Sequence, residues 1–415
     1  CSNDGQKQFV LDVLYDWYLW NDMLPANINI ADYASPEELV YEVTRTYGPQ
    51  DALGDPIDRW SRVGSLQADQ QYYGEGRYEG FGFSWREEGG QMRMWGVYAD
   101  SPAGIAGFAR GDTVLTFDGR TFADIQAAEG INAFFDANTT VTFEMQRLDS
   151  STYTVDVTKD IVTITPIPQW RTIDIGPGAP PAGYMEFLTF ISTAEPVFDD
   201  VFADFVAAGV RDVIIDLRYN RGGIVETVEL LGDYVGGFAN DGLVFSNTEF
   251  NADRAAQYNE SSFFARLANS LDMQRLIVIA SSEDTASASE LITNALIPYA
   301  DVWIVGDNTY GKPVGQVGID FCEKIIRPTA FRTTNADGDG DYFGGLPVDC
   351  PAADLLEVPV GDPTDPNIVA ATSIAATGAC PVIAAPPVQQ APVVRPEIRV
   401  PYDYGNVARE MAGAY

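Results

Sequence analysis

The 415-residue chain contains no histidine. That absence removes the commonest general base of enzymes, so a Ser-His-Asp triad cannot be assembled from its own residues. Lysine is nearly as scarce: Lys7, Lys159, Lys312 and Lys324 are the only ones, and every other basic residue is arginine. Positive charge as a whole is outnumbered, with 25 basic against 60 acidic residues and a net charge of −35. Nucleic acid and anionic membrane surfaces would both be repelled by such a chain. No apolar run approaches the ~18 residues needed to cross a bilayer. Cysteine is limited to Cys1, Cys322, Cys350 and Cys380. Against these absences, 46% hydrophobic and 12% aromatic content is ample for a packed core, and the length allows two or three domains.

Along the chain the pattern changes three times. In "QFVLDVLYDWYLW", residues 8–20, Phe9, Val10, Val13, Leu14, Trp17 and Trp20 recur at helical spacing. A second helix is predicted at "SPEELVYEV", where Ser35 caps, Pro36 fits the first helical position and Glu38 completes a capping box. Residues 1–75 therefore read as a small helical domain. From Gly80 the pattern becomes short strands and turns, giving a second domain over 76–160. From 161 to 385, strands such as "VRDVIIDLRYN" and "RLIVIASS" alternate with helical stretches, which predicts a largely parallel α/β sheet. Residues 386–415 form a Pro- and Val-rich tail.

The chemistry concentrates at the carboxyl ends of two predicted strands, where parallel α/β sheets place their ligand-binding groups. One carries "DLRYNRGG" and the other leads into "DTASASELITNALI", which is followed by "GDNTYGKPVGQ". Ser287 opens a helix, where the positive end of the dipole and free N–H groups suit a nucleophile and a developing oxyanion. The N–H of Ala288 is the natural first donor, and Gly222 lets the "NRGG" backbone approach as a second. A serine hydroxyl needs a base, and the remaining choice is a neutral lysine amine. At its ordinary pKa of ~10.4 a lysine is almost wholly charged at pH 7, and burial that lowers it to ~7–8 makes it competent. Lys312 lies in a Gly- and Pro-bent loop free of neighbouring carboxylates, and Gln316 stands four residues on to hold it in line.

These segments together resemble the C-terminal processing (tail-specific) proteases, the S41 serine peptidases. The resemblance implies Ser287 as nucleophile, Lys312 as general base, Gln316 as its orienting partner, and an oxyanion hole from the amides of Ala288 and Gly222. It also implies a crotonase- or ClpP-like αβ core preceded by a PDZ domain. In keeping with that order, "SPAGIAGFARGDTVLTFDG", residues 101–119, resembles the PDZ signature. PDZ domains bind a peptide by adding it to a sheet edge and holding its carboxylate on backbone N–H groups. Here the holding loop is Gly80, Phe81, Gly82 and Phe83. Two departures are visible: Pro298 stands where some members carry an acid, and "NRGG" replaces a more glycine-rich turn.

The chain opens on Cys1 in "CSNDGQ", which resembles a processed bacterial lipoprotein lipidated on that cysteine. A periplasmic or cell-surface protein, anchored at the outer membrane by that lipid alone, is the expected location. Export would place the other cysteines in an oxidising compartment. A hairpin centred near 336 makes Cys322 and Cys350 symmetric and pairs them in a disulfide, with Cys350–Cys380 as the alternative. "NADGDGDY", residues 335–342, opens like an EF-hand loop but has Leu346 where the ligating glutamate belongs, so it reads as a polar turn. No metal or cofactor is implied. The expectation is a serine endopeptidase acting on proteins with exposed C-terminal tails. The alternative is a non-catalytic, PDZ-containing peptide-binding protein on the same fold; an acyl-CoA-type crotonase lacks the acidic pair or basic pocket it would need.

Overall fold

The computed structural model describes residues 1–381, so the expected Pro-rich tail (386–415) lies outside the described residues. The chain divides into two compact units. The first joins residues 1–76 to 165–351, and the second joins 77–164 to the segment from 352.

The first unit is mixed α/β. Its main sheet runs Gln169–Ile173, Ala182–Glu186, Asp212–Asp216, Arg275–Ala280, Asp301–Gly306 and Cys350–Pro351. Every neighbouring pair is parallel except the first. The central strands carry unbroken apolar runs, "DVIID" and "RLIVIA", because helices cover both faces of a parallel sheet. Phe198, Val201, Phe202 and Phe205 on the helix Glu195–Ala208 point into this core. That helix ends at Gly209, whose φ of 72° is a conformation glycine adopts without strain. A four-stranded antiparallel sheet, Glu260–Phe263, Val244–Phe250, Thr329–Thr334 and Val314–Gln316, stands in the same unit.

The N-terminal helices belong to this unit. The first spans Asn3–Trp17, starting earlier and ending sooner than the 8–20 pattern predicts. It stops because the N–H of Leu19 turns away to the carbonyl of Thr329 at 2.8 Å. The second, Pro36–Tyr47, is capped by Ser35 as its sequence predicts. The segment then leaves through the strand Arg62–Ser65, which pairs with Lys324–Arg327.

Cys1 is bonded to Cys322. Two expectations are corrected by this bond. The sulfur of Cys1 is not available for a thioether-linked lipid, and Cys322 is not the partner of Cys350. The hairpin that decides the matter is formed by Ile319–Phe321 and Lys324–Arg327, not by strands about 336. Cys322 sits at its tip with a positive φ of 54°, while Cys350 lies in the main sheet. The turn at 335–339 is closed by Asn335, whose Oδ1 accepts from the N–H groups of Asp337 and Asp339.

The second unit has a five-stranded antiparallel sheet in chain order: Phe83–Glu88, Gln91–Val97, Thr113–Phe117, Thr140–Gln146 and Thr152–Thr158. Short helices, Phe122–Ala128 and Ile131–Ala137, pack on an aromatic cluster of Phe81, Phe83, Phe117, Phe135 and Phe143. The segment 352–381, which the sequence assigns to the core, belongs here instead. Asp354 accepts from Arg86 and Arg110 at 2.7 and 2.8 Å, and Arg110 Nε donates to the carbonyl of Val358.

Candidate active site

Ser287 lies at the start of the helix Ala288–Leu296, half-buried, with φ 56° and ψ −115°. This is a region that residues with a side chain rarely occupy, at a cost of about 1–3 kcal/mol. A sharp turn of this kind lifts a side chain out of the strand-to-helix connection. The turn is held by Asn220, in the loop that follows the strand Asp212–Asp216. The carbonyl of Asn220 accepts from Ala286 N–H at 3.2 Å and Ser289 Oγ at 2.9 Å. Thr285 Oγ1 donates to the carbonyl of Leu217 at 2.8 Å. Both loops predicted to carry the chemistry are therefore sewn together where neighbouring strands end.

Gly222 touches this turn directly. A side chain there would place its Cβ 2.8 Å from both Ala288 N and Ser287 Cβ, and the φ of 97° also favours glycine. The approach is to the serine turn itself, and the N–H expected to serve as a second oxyanion donor is instead given to Asn220 Oδ1 at 2.8 Å. Gly222 therefore shapes the space above the Ala288 N–H, and its amide is spent on the asparagine. Ala288 occupies the first helical position, where an N–H has no partner within the helix.

Lys312 is only 7% exposed. Its Nζ donates to Gln316 Oε1 at 3.2 Å. The amide orientation of Gln316 follows from its other partners: Nε2 donates to the carbonyls of Trp60 at 2.6 Å and Arg327 at 3.0 Å. Two acceptors on one side demand the NH₂ there, which turns the oxygen to the lysine.

Glu290 had no assigned role in the sequence, yet it binds the site together. Its carboxylate is fully buried. Oε2 accepts from the backbone N–H groups of Ser287 at 3.0 Å and Lys312 at 2.7 Å. Oε1 accepts from Thr309 Oγ1 at 2.5 Å and Gly311 N–H at 2.6 Å. Because Ser287 and Lys312 bond the same oxygen, their backbones lie within about 6 Å of each other. Burial pushes the Glu290 carboxyl up to about 7, against the four hydrogen bonds that pull it down. Its spacing from Ser287 is that of a capping box, and that was the available signal. Trp60 offered no local signal at all, since it meets Gln316 across 256 positions of sequence.

Beneath the site, Asp216 and Arg218 form a buried ion pair, with Nε at 2.9 Å from Oδ1 and Nη2 at 2.7 Å from Oδ2. Tyr184 donates its hydroxyl to the same carboxylate at 3.1 Å. Arg221, at the surface of the "NRGG" turn, pairs with Asp284 at 2.8 Å and bridges the two loops.

In the second unit, Gly80 ends the strand Arg77–Gly80 and Phe83 opens the edge strand Phe83–Glu88. Phe81 and Phe83 turn their rings into the core. Gly82 has φ 88°, and a Cβ there would lie 2.1 Å from that of Ser101. The Gly82 carbonyl accepts from Tyr98 N–H at 3.0 Å and from Ser101 Oγ at 3.1 Å. Among the described residues no group of acidic, cysteine or histidine side chains is arranged to hold a metal ion.

Residues 181–347 match the family described as Peptidase family S41, and residues 5–62 match the Peptidase S41 N-terminal domain. The chain is similar to the chloroplastic C-terminal processing peptidase of Tetradesmus obliquus, 24% identical over 291 residues, covering 65% of this chain and 59% of that protein. It is also similar to a carboxy-terminal processing protease of Bacillus subtilis, 21% identical over 272 residues, covering 65% and 55%. These matches span less than two thirds of either relative. In fold it resembles an S41 protease structure from Bacteroides fragilis with a TM-score of 0.68 and 17% identity, covering 89% of this chain and 97% of the other.

Proposed function

We propose, from the matches of residues 181–347 and 5–62 to models of peptidase family S41, that this chain is a serine endopeptidase that cuts proteins near exposed C-termini through a Ser287–Lys312 dyad. The observation that carries the reading is a buried lysine whose loop shares one carboxylate oxygen with a serine held at positive φ. Neutral Lys312 takes the Ser287 Oγ proton as that oxygen attacks the scissile carbonyl carbon. The N–H of Ala288 bears on the oxyanion of the tetrahedral intermediate, in the space Gly222 leaves by having no side chain. Collapse breaks the C–N bond, and the lysine ammonium returns the proton to the departing amine. Water then attacks the acyl-enzyme ester with the same amine as base, freeing the acid and restoring the Ser287 hydroxyl.

The second unit supplies capture of the tail, in the manner of a PDZ domain. Phe83–Glu88 pairs on one side only among the described residues, leaving an edge for an extended peptide. The Gly80–Phe83 loop runs straight into this edge. Trp85 on the strand meets Phe122 on the facing helix, ring to ring at 5.5 Å, which sets an apolar wall for a hydrophobic tail. The Cys1–Cys322 bond supports an exported protein working in an oxidising compartment. Among the described residues no helix is long and apolar enough to cross a membrane.

The test compares degradation of an unfolded protein by wild type, Ser287→Ala and Lys312→Ala. Loss of cleavage in both variants is expected, and equal cleavage by all three refutes the dyad. A hydrophobic peptide with a free carboxylate should bind the Ser287→Ala protein at least tenfold more tightly than its amidated copy.

A further inference from the structure

We propose that Trp60, on the N-terminal segment, is a positioning residue for the general base: its indole shields Lys312 from water while its carbonyl aims Gln316. The proposal rests on the reading of Lys312 as base. The Trp60 ring centroid is 5.7 Å from Lys312 Nζ. Its carbonyl takes the shorter of the two hydrogen bonds that orient the Gln316 amide. One residue thus touches both members of the base pair, from a part of the chain with no chemistry of its own.

Trp60 is not left to find this place by chance. Asp58 is a wholly buried carboxylate that the proposed reaction does not use. Its Oδ1 accepts from Trp60 N–H at 3.0 Å, Ser61 N–H at 3.1 Å and Thr329 Oγ1 at 3.0 Å. Its Oδ2 accepts from Ser61 Oγ at 2.6 Å, and Ser61 Oγ in turn accepts from Thr329 N–H at 2.9 Å. Thr329 is the strand partner of Gln316. The 58–61 turn is therefore clamped to the strand beside the lysine's own partner, and both contacts of Trp60 inherit that rigidity.

Two effects of the ring oppose each other. Its electron-rich face attracts an ammonium, but 5.7 Å is close to the ~6 Å limit of that attraction. Exclusion of water, which disfavours the charged amine, does not require close centring and dominates. The charged and titratable groups around the amine are Glu290, bonded to the Lys312 backbone, and Arg59, whose guanidinium lies over the Trp60 and Tyr310 rings at 5.7 and 5.3 Å. Tyr310 and Arg327 lie on neighbouring stretches of the chain, and Arg327 is already paired with Asp69.

The experiment measures acylation of Ser287 by an activated-ester probe, with release of its phenolate leaving group, from pH 5 to 10 in wild type, Trp60→Phe, Trp60→Ala and Lys312→Ala, with thermal melting of each. Trp60→Ala is expected to move the midpoint of the acid limb upward by about one unit and to slow acylation near neutral pH about tenfold, since each unit leaves tenfold less neutral amine. Trp60→Phe, with a smaller ring, is expected to move it the same way by less. A folded Trp60→Ala with wild-type midpoint and rate overturns the proposal; if that variant does not fold, an unmoved midpoint in Trp60→Phe does so. Lys312→Ala that acylates like wild type would instead sink the base assignment, so the two failures are distinct.

Discussion

The backbone N–H groups of Ser287 and Lys312 end on the same atom, Glu290 Oε2, at 3.0 and 2.7 Å. A carboxylate is the side chain suited to this position, because all four of its neighbours are donors and an ionised acid accepts only. Glu290→Gln keeps the shape but replaces two acceptor sites with an NH₂ that faces donors. Its kcat is expected to fall on the order of 10²-fold with little change in KM, since the substrate's binding surface is untouched. Steady-state cleavage of a tail peptide at pH 8 gives the split, and a rise in KM alone would contradict the positioning role.

The same carboxylate makes stability depend on pH with an unusual sign. Its folded value, pushed up by burial to about 7, lies above the ordinary 4.5. Between these two values the folded state binds a proton that the unfolded chain has released. The contribution to stability is therefore complete below about pH 4.5 and is lost as pH rises through about 7. Urea melts of wild type and Glu290→Gln should show a stability difference that changes by roughly 3 kcal/mol across this window and is flat above it. A difference independent of pH from 4.5 to 8 would mean that Glu290 is ionised throughout.

Gln316 is held by two carbonyls and offers one oxygen to the lysine. Gln316→Glu sets a carboxylate against the same carbonyls and beside the same amine. An adjacent negative charge favours the ammonium, so the base is silenced at neutral pH. The acid limb of the rate profile should move up by at least one unit, with activity near neutral pH down 10- to 100-fold. Gln316→Leu, which removes the partner without adding charge, should lose activity with a much smaller shift. An identical profile for the two variants would show that charge at this position does not reach the base.

The residues of the proposed dyad can be picked out of the sequence because they lie in short runs. The serine in "TASASE", the lysine in "YGKP" and the glutamine four residues on each carry a local reason to be where they are. The alternation of strands and helices after 161 likewise follows from continuous apolar runs such as "VIID". What escaped was long-range. Cys1 finds Cys322 across 321 positions, and the midpoint argument for Cys350 assumed a hairpin the chain forms elsewhere. Arg86 and Arg110 draw the segment after 352 onto the second unit through Asp354, which no periodicity could reveal. Gly222 approaches the Ser287 turn rather than being shown against a substrate, and the Asn220 side chain that takes its N–H is a detail of the turn that the sequence does not reveal.

The Cys1–Cys322 bond closes a loop across 321 positions of the 415-residue chain. Restricting the unfolded state over so long a span is worth about 2–5 kcal/mol. Cys322→Ser should lower stability by that amount and leave kcat within about twofold, because neither cysteine approaches Ser287 or Lys312 in the bonding described. Peptide mapping without reductant should recover the N-terminal peptide joined to the one containing Cys322. Recovery of Cys322 joined to Cys350 would restore the pairing that the hairpin argument favoured.

In the proposed mechanism, Gly222 separates the geometry of the oxyanion space from the dyad itself. A methyl at this position would meet Ser287 Cβ, Ala288 N and the carbonyl of Ala286 at 2.8–2.9 Å, all of them rigid parts of the nucleophile turn. Its φ of 97° adds backbone strain for any residue with a Cβ. Gly222→Ala is expected to cost about 1–3 kcal/mol of stability and to lower kcat on the order of 10²–10³-fold, as loss of one oxyanion donor does. The lysine is untouched by the change, so the pH midpoint of the residual activity should match wild type. A variant that melts lower but retains full kcat would show that the methyl is absorbed by movement of the turn, and that the oxyanion is held somewhere other than above Ala288.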